Sequence, residues 1–513
     1  MSGWSEGYVA DIPYALGFYR ETVPSHIAFA AACVGRRFAA DRGGKRVLEL
    51  GFGMGLGFVI AAAANPGIQF EGVDFNPLHV AHARGLVEAA DLGNIALREA
   101  SFQEVAREAR EGQHDVDLIV LHGILTWVSV EAQEAIVEIA RKRLKPGGFL
   151  YVSYNAMPGW APVLPMQRLM HENAKRAAAR SDLQTTSGLD LLKALIGEGA
   201  GYFRANPSLE QRVEKMAGLD RSYLAHEYLN ANWFIFHFAD VAEMFGHAKL
   251  GFAGSATLIE NIDALSLPEG ARARIGAEQD PVFKETLRDI ASNKQFRRDL
   301  FSRGAIPLTP PEHTEYLFGL RFAPTVARTR MNFKFPSPIG DLDGNPEIYG
   351  AVCDLLATKA ASFGEIVALP AFKQGGINAA LQAVTLLVHS GQVQAVPAGP
   401  APEVKPAQRL NRVIVERMLQ GRVYSFLAAP ACGSGVQVQH SDLLMLAAVT
   451  AAKQDTPEGI AQSVAQTMQR LGINWMKDGK PITDAAARLA AITAEAAVFK
   501  AEKLPVWKRL GVV

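Results

Sequence analysis

Short apolar runs alternate with helix-period segments through the first third of the chain. Arg46–Leu50, Gln69–Asp74, 95–98, Val116–Leu121 and 149–154 read as strands, and segments starting at Leu56, Pro77 and Val130 read as the helices between them. Pro77 suits the first turn of its helix. Val116–Leu121 is a nearly continuous apolar run, as a parallel strand covered on both faces should be. Strand and helix in alternation imply a doubly wound α/β sheet with right-handed crossovers. After Tyr154 the pattern turns helical to about residue 231. A helix over 239–246 and a late antiparallel strand over 252–258 follow. The stretch 156–231 therefore reads as a helical insertion at the C-terminal edge of the sheet. Residues 265–304, including 284–290 and 296–301, read as charged, solvated helix. From Asn345, three short helices and a small strand suggest a winged-helix-like module, and an alanine-rich helical region ends the chain. The expected units are an aromatic arm or lid (1–44), a ligand-binding domain with its insertion (45–262) and a helical linker or regulatory region (263–340). The winged-helix-like module (341–398) and a C-terminal helical domain (405–513) complete them.

Strand one runs into Glu49-Leu50-Gly51-Phe52-Gly53-Met54-Gly55 and then an alanine-rich helix. Glycines at alternate positions let the backbone turn sharply and let a ligand touch the main chain. The spacing differs from the G-x-G-x-x-G of dinucleotide domains. Asp74 ends strand two beside this loop, in the crevice where open α/β sheets bind ligands. A carboxylate there can accept both hydroxyls of a ribose. Phe75-Asn76-Pro77 follows strand two, Ser101-Phe102 follows strand three, His122-Gly123 follows strand four, and Lys145-Pro146-Gly147-Gly148 turns into strand five.

The E-x-G-x-G-x-G loop, Asp74-x-Asn76-Pro77 and the turn before strand five resemble class I S-adenosylmethionine-dependent methyltransferases. Further stretches extend the likeness: Tyr8…Pro13-Tyr14, Ser153-Tyr154-Asn155…Pro158-Gly159-Trp160, His226-Glu227-Tyr228-Leu229 and Phe296-Arg297-Arg298-Asp299. With them the chain resembles bacterial methyltransferases with a methyltransferase regulatory domain, among them rickettsial protein-lysine methyltransferases that act on an outer-membrane protein. The resemblance is densest from residue 8 to 304. It implies S-adenosylmethionine as donor, whose ammonium and sulfonium suit a carboxylate at the strand end. It implies a cofactor site of Tyr14, Glu49, Gly51, Gly53, Gly55, Asp74, Phe75, Asn76, Ser101, Phe102, His122 and Gly123. It also implies lysine side chains of a protein, such as a surface protein, as acceptor, without fixing that acceptor. A small molecule or a cell-surface glycan or lipid is the rival acceptor, and a non-catalytic binding protein the rival class. The intact loop and Asp74 count against the last. His122-Gly123-Ile124 stands where an Asn/Asp-Pro-Pro-Tyr motif would be, which argues against adenine or glutamine-amide methylation.

A lysine acceptor must lose a proton in an apolar channel, and aromatic faces hold its cationic forms. Tyr154 and Asn155, ending strand five, are the candidates to orient the amine, Tyr154 through its hydroxyl. His122 is the candidate proton acceptor. Trp160, with Tyr14 and Trp127, is the candidate wall. His226-Glu227-Tyr228 either reaches the site from the insertion or packs a helix.

Lys+Arg and Asp+Glu each number 52, so the net charge is zero, whereas a broad nucleic-acid footprint needs a basic excess. The third helix of the winged-helix-like module, 377–389, carries no Lys or Arg, which favours protein contact over DNA. No apolar run is long enough to span a bilayer. Cys33, Cys353 and Cys432 lie far apart, with neither metal-type spacing nor a disulfide framework, and point to a reducing cytoplasm. No metal-ligand cluster is visible. The oligomeric state stays open, a homodimer being one reading.

Overall fold

The computed structural model describes residues 4–38, 44–176, 178–477 and 479–513, so parts of the expected arm (1–3 and 39–43) lie outside the described residues. Helix α1 (Pro24–Cys33) leads into four βα units and a fifth strand. These are β1 (Arg46–Leu50), α2 (Leu56–Ala64), β2 (Gln69–Asp74), α3 (Pro77–Ala89), β3 (Ile95–Glu99), α4 (Phe102–Glu108), β4 (Val116–Leu121), α5 (Val130–Arg143) and β5 (Leu144–Asn155). Helices α6 (Leu164–Ala174), α7 (Ser181–Gly197), α8 (Gly201–Ala205), α9 (Ser208–Ala217) and α10 (Arg221–Tyr228) form the insertion, with an apolar core of its own. Then come α11 (Phe238–Gly246), β6 (Gly251–Ser255) and β7 (Phe296–Ser302). The seven strands stand in the order β3-β2-β1-β4-β5-β7-β6; the first five are parallel, and β7 runs antiparallel to both its neighbours.

Successive strand residues point to opposite faces. Val47 and Tyr151 join the core on the α1–α2–α3 side, while Leu48, Leu150 and Tyr154 join the core under α4, α5 and α11. Helix α2 is apolar all round, which demands cover on its outer side as well. The hairpin Phe426–Ala429/Ser434–Gln437 and the helix Lys405–Met418 supply that cover. Their small and branched residues continue the core without a break. Polar ties fix the contact: Asn65 Nδ2 donates to the Gly433 carbonyl (2.8 Å), and Arg409 Nε to the Ala90 carbonyl at the end of α3 (2.8 Å). A cation at a helix C-terminus is favourably placed.

The structure corrects the reading of 296–301. The segment is not a solvated helix but β7, wedged between β5 and β6, so the sheet closes at Ser302 and not within 262. Its charges misled the helix reading because they are buried and paired. Arg297 is 3% exposed and donates to Asp289 (2.5 Å), Glu285 (2.9 Å) and Asp299 (2.8 Å). Its guanidinium also lies over the Phe238 ring at 4.3 Å. Burial raises the Asp289 carboxyl to about 7 despite Arg297.

The three helices expected after residue 345 are present as Pro346–Thr358, Phe363–Val367 and Gly376–His389. Their small sheet takes its central strand, Arg321–Pro324, from outside the expected 341–398 boundary and flanks it with Ala361–Ser362 and Val393–Val396. Among the described residues no helix is long and apolar enough to cross a membrane, and no cluster of His, Cys, Asp and Glu is placed to hold a metal.

Removing one partner of a buried ion cluster leaves the others uncompensated. Arg297→Ala is therefore expected to lower stability by about 3–5 kcal/mol, read as a lower denaturant midpoint.

Candidate active site

The crevice forms where β1, β2 and β4 end. Gly51 leaves β1 at φ 76° with its N–H on the Val73 carbonyl (2.7 Å). A Cβ there would stand 2.4 Å from Ile124 Cδ1, so the loop and the turn after β4 touch through this glycine. Gly53 turns at φ 58°, has open space where a Cβ would be, and donates its N–H to Asp74 Oδ2 (2.8 Å). The other oxygen of Asp74 accepts from the Asn76 N–H (2.9 Å) and meets His79 Nδ1 (3.1 Å). Asp74 thus ties the end of β2 to the glycine loop.

Glu49 lies beside this pair, and no hydrogen bond to its carboxyl is found among the described residues. Burial and the Asp74 charge raise it to about 8. Both carboxyls line a cavity of about 440 Å³, which Gly51, Gly53, Gly55 and Phe75 also border. Phe102, His122 and Gly123 close its far side. A second cavity of about 550 Å³ shares the walls Tyr8, Phe75, Phe102 and Trp127.

The N-terminal arm closes the crevice from above. Val9 N–H donates to Asn230 Oδ1 (2.8 Å), and the Asp11 carboxylate accepts from the Ser181 N–H and hydroxyl (2.8 and 2.7 Å). The Tyr8 and Tyr14 rings bracket His226 at 5.4 and 4.9 Å. The arm so docked puts Tyr8, Tyr14 and Tyr19 into the cavity wall.

Two residues expected in the cofactor site do not line this cavity. Asn76 is buried, and its Oδ1 accepts from the Leu78 N–H (3.0 Å), which makes it the cap of α3. Ser101 forms the capping box of α4 with Glu104 and faces the second cavity.

The catalytic candidates fare unevenly. Tyr154 is fully buried and turned toward the α5 face, where its hydroxyl donates to Asp299 Oδ2 (2.5 Å). Tyr154 also borders the cavity, but its hydroxyl is engaged with Asp299 in the Arg297 cluster. Trp160 carries the Arg212 guanidinium on its ring at 4.2 Å and packs against Trp233 at 5.6 Å. Trp160 nonetheless borders the cavity. His122 Nδ1 meets the Tyr151 hydroxyl (2.8 Å) and Ser153 Oγ (3.2 Å), and Tyr19 stacks on its ring at 3.8 Å. Burial and the Arg298 charge lower it to about 3, so it stays neutral and is a poor proton acceptor.

Asn155 borders the same cavity as Tyr154 and Trp160. Its side chain is 5% exposed and its Nδ2 completes no hydrogen bond, although it stands close enough to Glu227 to lower that carboxyl. Glu227 is the residue missing from the expected site. It comes from α10, lines the same cavity, and burial raises it to about 7 against the pull of Arg212 and Asn155. Burial raises the hydroxyls of Tyr14, Tyr19 and Tyr223, which border the same space, and the Glu227 charge adds to the shift. The sequence signal was His226-Glu227-Tyr228, where histidine drew as much notice as glutamate. His226 is buried, and burial lowers it to about 4.

Three carboxyls, Glu49, Asp74 and Glu227, thus share a cavity with one Arg or Lys, Arg298, at its His122 end. Such a site suits a ligand bearing positive charge.

The chain matches the model of a methyltransferase domain over residues 41–211 and that of a predicted methyltransferase regulatory domain over 220–303. It is 34% identical over 513 residues to an uncharacterized protein of Synechocystis sp., covering 99% of each chain. The chain belongs to the methyltransferases that carry a methyltransferase regulatory domain. Its fold is similar to that of PKMT2 from Rickettsia typhi, solved in complex with AdoHcy, with a TM-score of 0.70, 18% identity and 98% and 99% of the two chains covered. An uncharacterized protein of Rickettsia prowazekii is 25% identical over 295 residues, 56% of this chain and 51% of that protein. This methyltransferase uses S-adenosylmethionine as cofactor, and the site fits it. The left-handed glycine loop leaves the backbone open at Gly53, and the carboxyl-rich cavity matches a cationic ligand. The regulatory segment begins at 220, ahead of the expected 263, and supplies Glu227, β6 and β7.

A neutral Glu49 that meets the cofactor ammonium must ionise. With a value of about 8 in the free protein it is mostly protonated at pH 7, so binding S-adenosylhomocysteine is expected to release close to one proton. Affinity should rise with pH up to about 8. Calorimetry in buffers of different ionisation heat measures the release, and Glu49→Gln should abolish it.

Proposed function

We propose that this methyltransferase methylates the side-chain amine of lysine in a protein substrate. The observation that carries the reading is Glu227. It stands in the cofactor cavity at about 7, beside the unsatisfied Asn155 amide and among tyrosine rings. When bound, S-adenosylmethionine supplies the methyl group. Glu49 and Asp74 are the groups suited to its ammonium and ribose hydroxyls. Glu227 takes a proton from the lysine ammonium, whose ordinary value near 10.4 leaves it charged at neutral pH. The exchange turns a carboxylate and an ammonium into a carboxylic acid and a neutral amine, so no separated charge is left in a dry site. Tyr14, Tyr19 and Tyr223 offer ring faces to the cationic forms of the side chain. Asn155 is placed to orient the amine and the Glu227 carboxyl together. Tyr19 and Tyr223 are 40% and 37% exposed, which puts them at the mouth, where a long side chain can enter.

The resemblance to rickettsial protein-lysine methyltransferases supports the same acceptor. The zero net charge disfavours nucleic acid. The three free cysteines favour a reducing compartment, the cytoplasm.

Glu227→Gln is expected to keep cofactor affinity while turnover falls about 10²–10⁴-fold. In the parent protein kcat/KM should rise with pH through about 7 as Glu227 ionises, and the variant should lose that limb. Labelled S-adenosylmethionine with cell lysate, followed by hydrolysis to amino acids, should put label in methyl-lysines. Label in lipid, glycan or small molecules and none in protein would refute the acceptor.

A further inference from the structure

The turn Arg20–Thr22 joins three parts of the molecule. Tyr19, just before it, lays its ring on His122 with centroids 3.8 Å apart. Arg20 faces away, and its Nη2 donates to the carbonyl of His389, the last residue of the helix Gly376–His389. Glu21 is held below the usual carboxylate range in spite of burial, by His26, Arg298 and Arg20. The chain alternates through this stretch. Gly17 and Tyr19 border the cofactor cavity, whereas Phe18, Arg20 and Glu21 border a separate groove of about 750 Å³ against the distal module.

The Arg20–His389 contact has a physical reason on each side. Carbonyls of the last helical turn lack intrahelical donors and carry the negative end of the helix dipole. Arg20 is largely removed from water, and burial lowers its guanidinium. Gly391, two residues past His389, turns at φ 78° and its carbonyl accepts from the Thr325 hydroxyl (2.5 Å). A Cβ on Gly391 would stand 2.7 Å from Arg20 Nη1, so this glycine leaves the guanidinium its seat.

We propose that Arg20 is a positioning residue: bound to the end of the helix Gly376–His389, it holds Tyr19 against His122, and through it the distal module sets the shape of the acceptor end of the cavity. The inference rests on the proposed function only in taking that end to receive the acceptor. Without the tie, Tyr19 is free to leave His122, and the mouth loses its form while Glu49 and Asp74 stay as they are. A shift of this kind at a reacting centre is costly to rate.

Arg20→Ala removes the tie from the arm, and Gly391→Ala crowds it from the module. Both are expected to lower kcat on the protein acceptor by about tenfold or more while cofactor affinity changes by less than about twofold. The His122 ring-proton resonance should move downfield in both as the Tyr19 ring current is lost. Arg20→Lys keeps one donor for the His389 carbonyl and should recover most of the turnover. If Arg20→Ala fails to fold, Gly391→Ala decides. An unchanged His122 resonance overturns the proposal, and so does a parallel fall in cofactor affinity. A parent protein that methylates no protein would refute the proposed function, while the His122 resonance would still judge this inference.

Discussion

A guanidinium surrounded by three carboxylates, buried at the edge of the sheet, decides how the second half of this methyltransferase is built. Arg297 draws Asp289 and Glu285 of the helix Pro281–Ser292 onto Asp299 of its own strand, and Tyr154 of β5 completes the cluster. A charge so buried is tolerable only when fully paired, so β7 has one register against β5. That register turns the next residue, Arg298, to the other face and sets its charge near His122. One ion cluster therefore positions the last two strands and engages the Tyr154 hydroxyl.

The regulatory segment is for this reason part of the catalytic body. It contributes α10 at the mouth of the crevice and β6 and β7 at the edge of the sheet. Glu227 arrives on α10, where side chains of the insertion, Asn230 and His226, meet the N-terminal arm. Burial is the shared and largest cause of the raised Glu49 and Glu227 carboxyls and the lowered His122.

The regions after residue 304 pack on the same body. Helix α2, which begins at the glycine loop, is sheathed by the hairpin Phe426–Ala429/Ser434–Gln437, and the arm is tied to the helix Gly376–His389 through Arg20. The glycine loop and the arm that lines the cavity thus each have a distal partner. Such contacts give remote parts of the chain a physical route to the site, through packed side chains and single hydrogen bonds.

The parallel core was legible in the chain because its signals are local. Strand β4 is apolar but for Asp117, Pro77 opens a helix, and three glycines turn where only positive φ closes the loop onto β2 and the turn after β4. The acid at the end of β2 was equally legible, since its place follows from strand order. Local signals misled where burial reverses the meaning of a residue. The charges of 296–301 look solvated until three elements surround them. Tyr154 and Asn155 are adjacent and both border the cavity, but that the Tyr154 hydroxyl is engaged by Asp299 follows only from the pairing of β5 with β7. Glu227 lies 178 positions after Glu49, on a helix whose contacts no pattern within α10 reveals. The sequence by itself determined the alternation of strand and helix, the glycine turn and the carboxylate beside it, because neighbours in the chain decide those. Only the tertiary structure decided which side chains share the cavity, because burial and pairing arise between segments that the chain holds far apart.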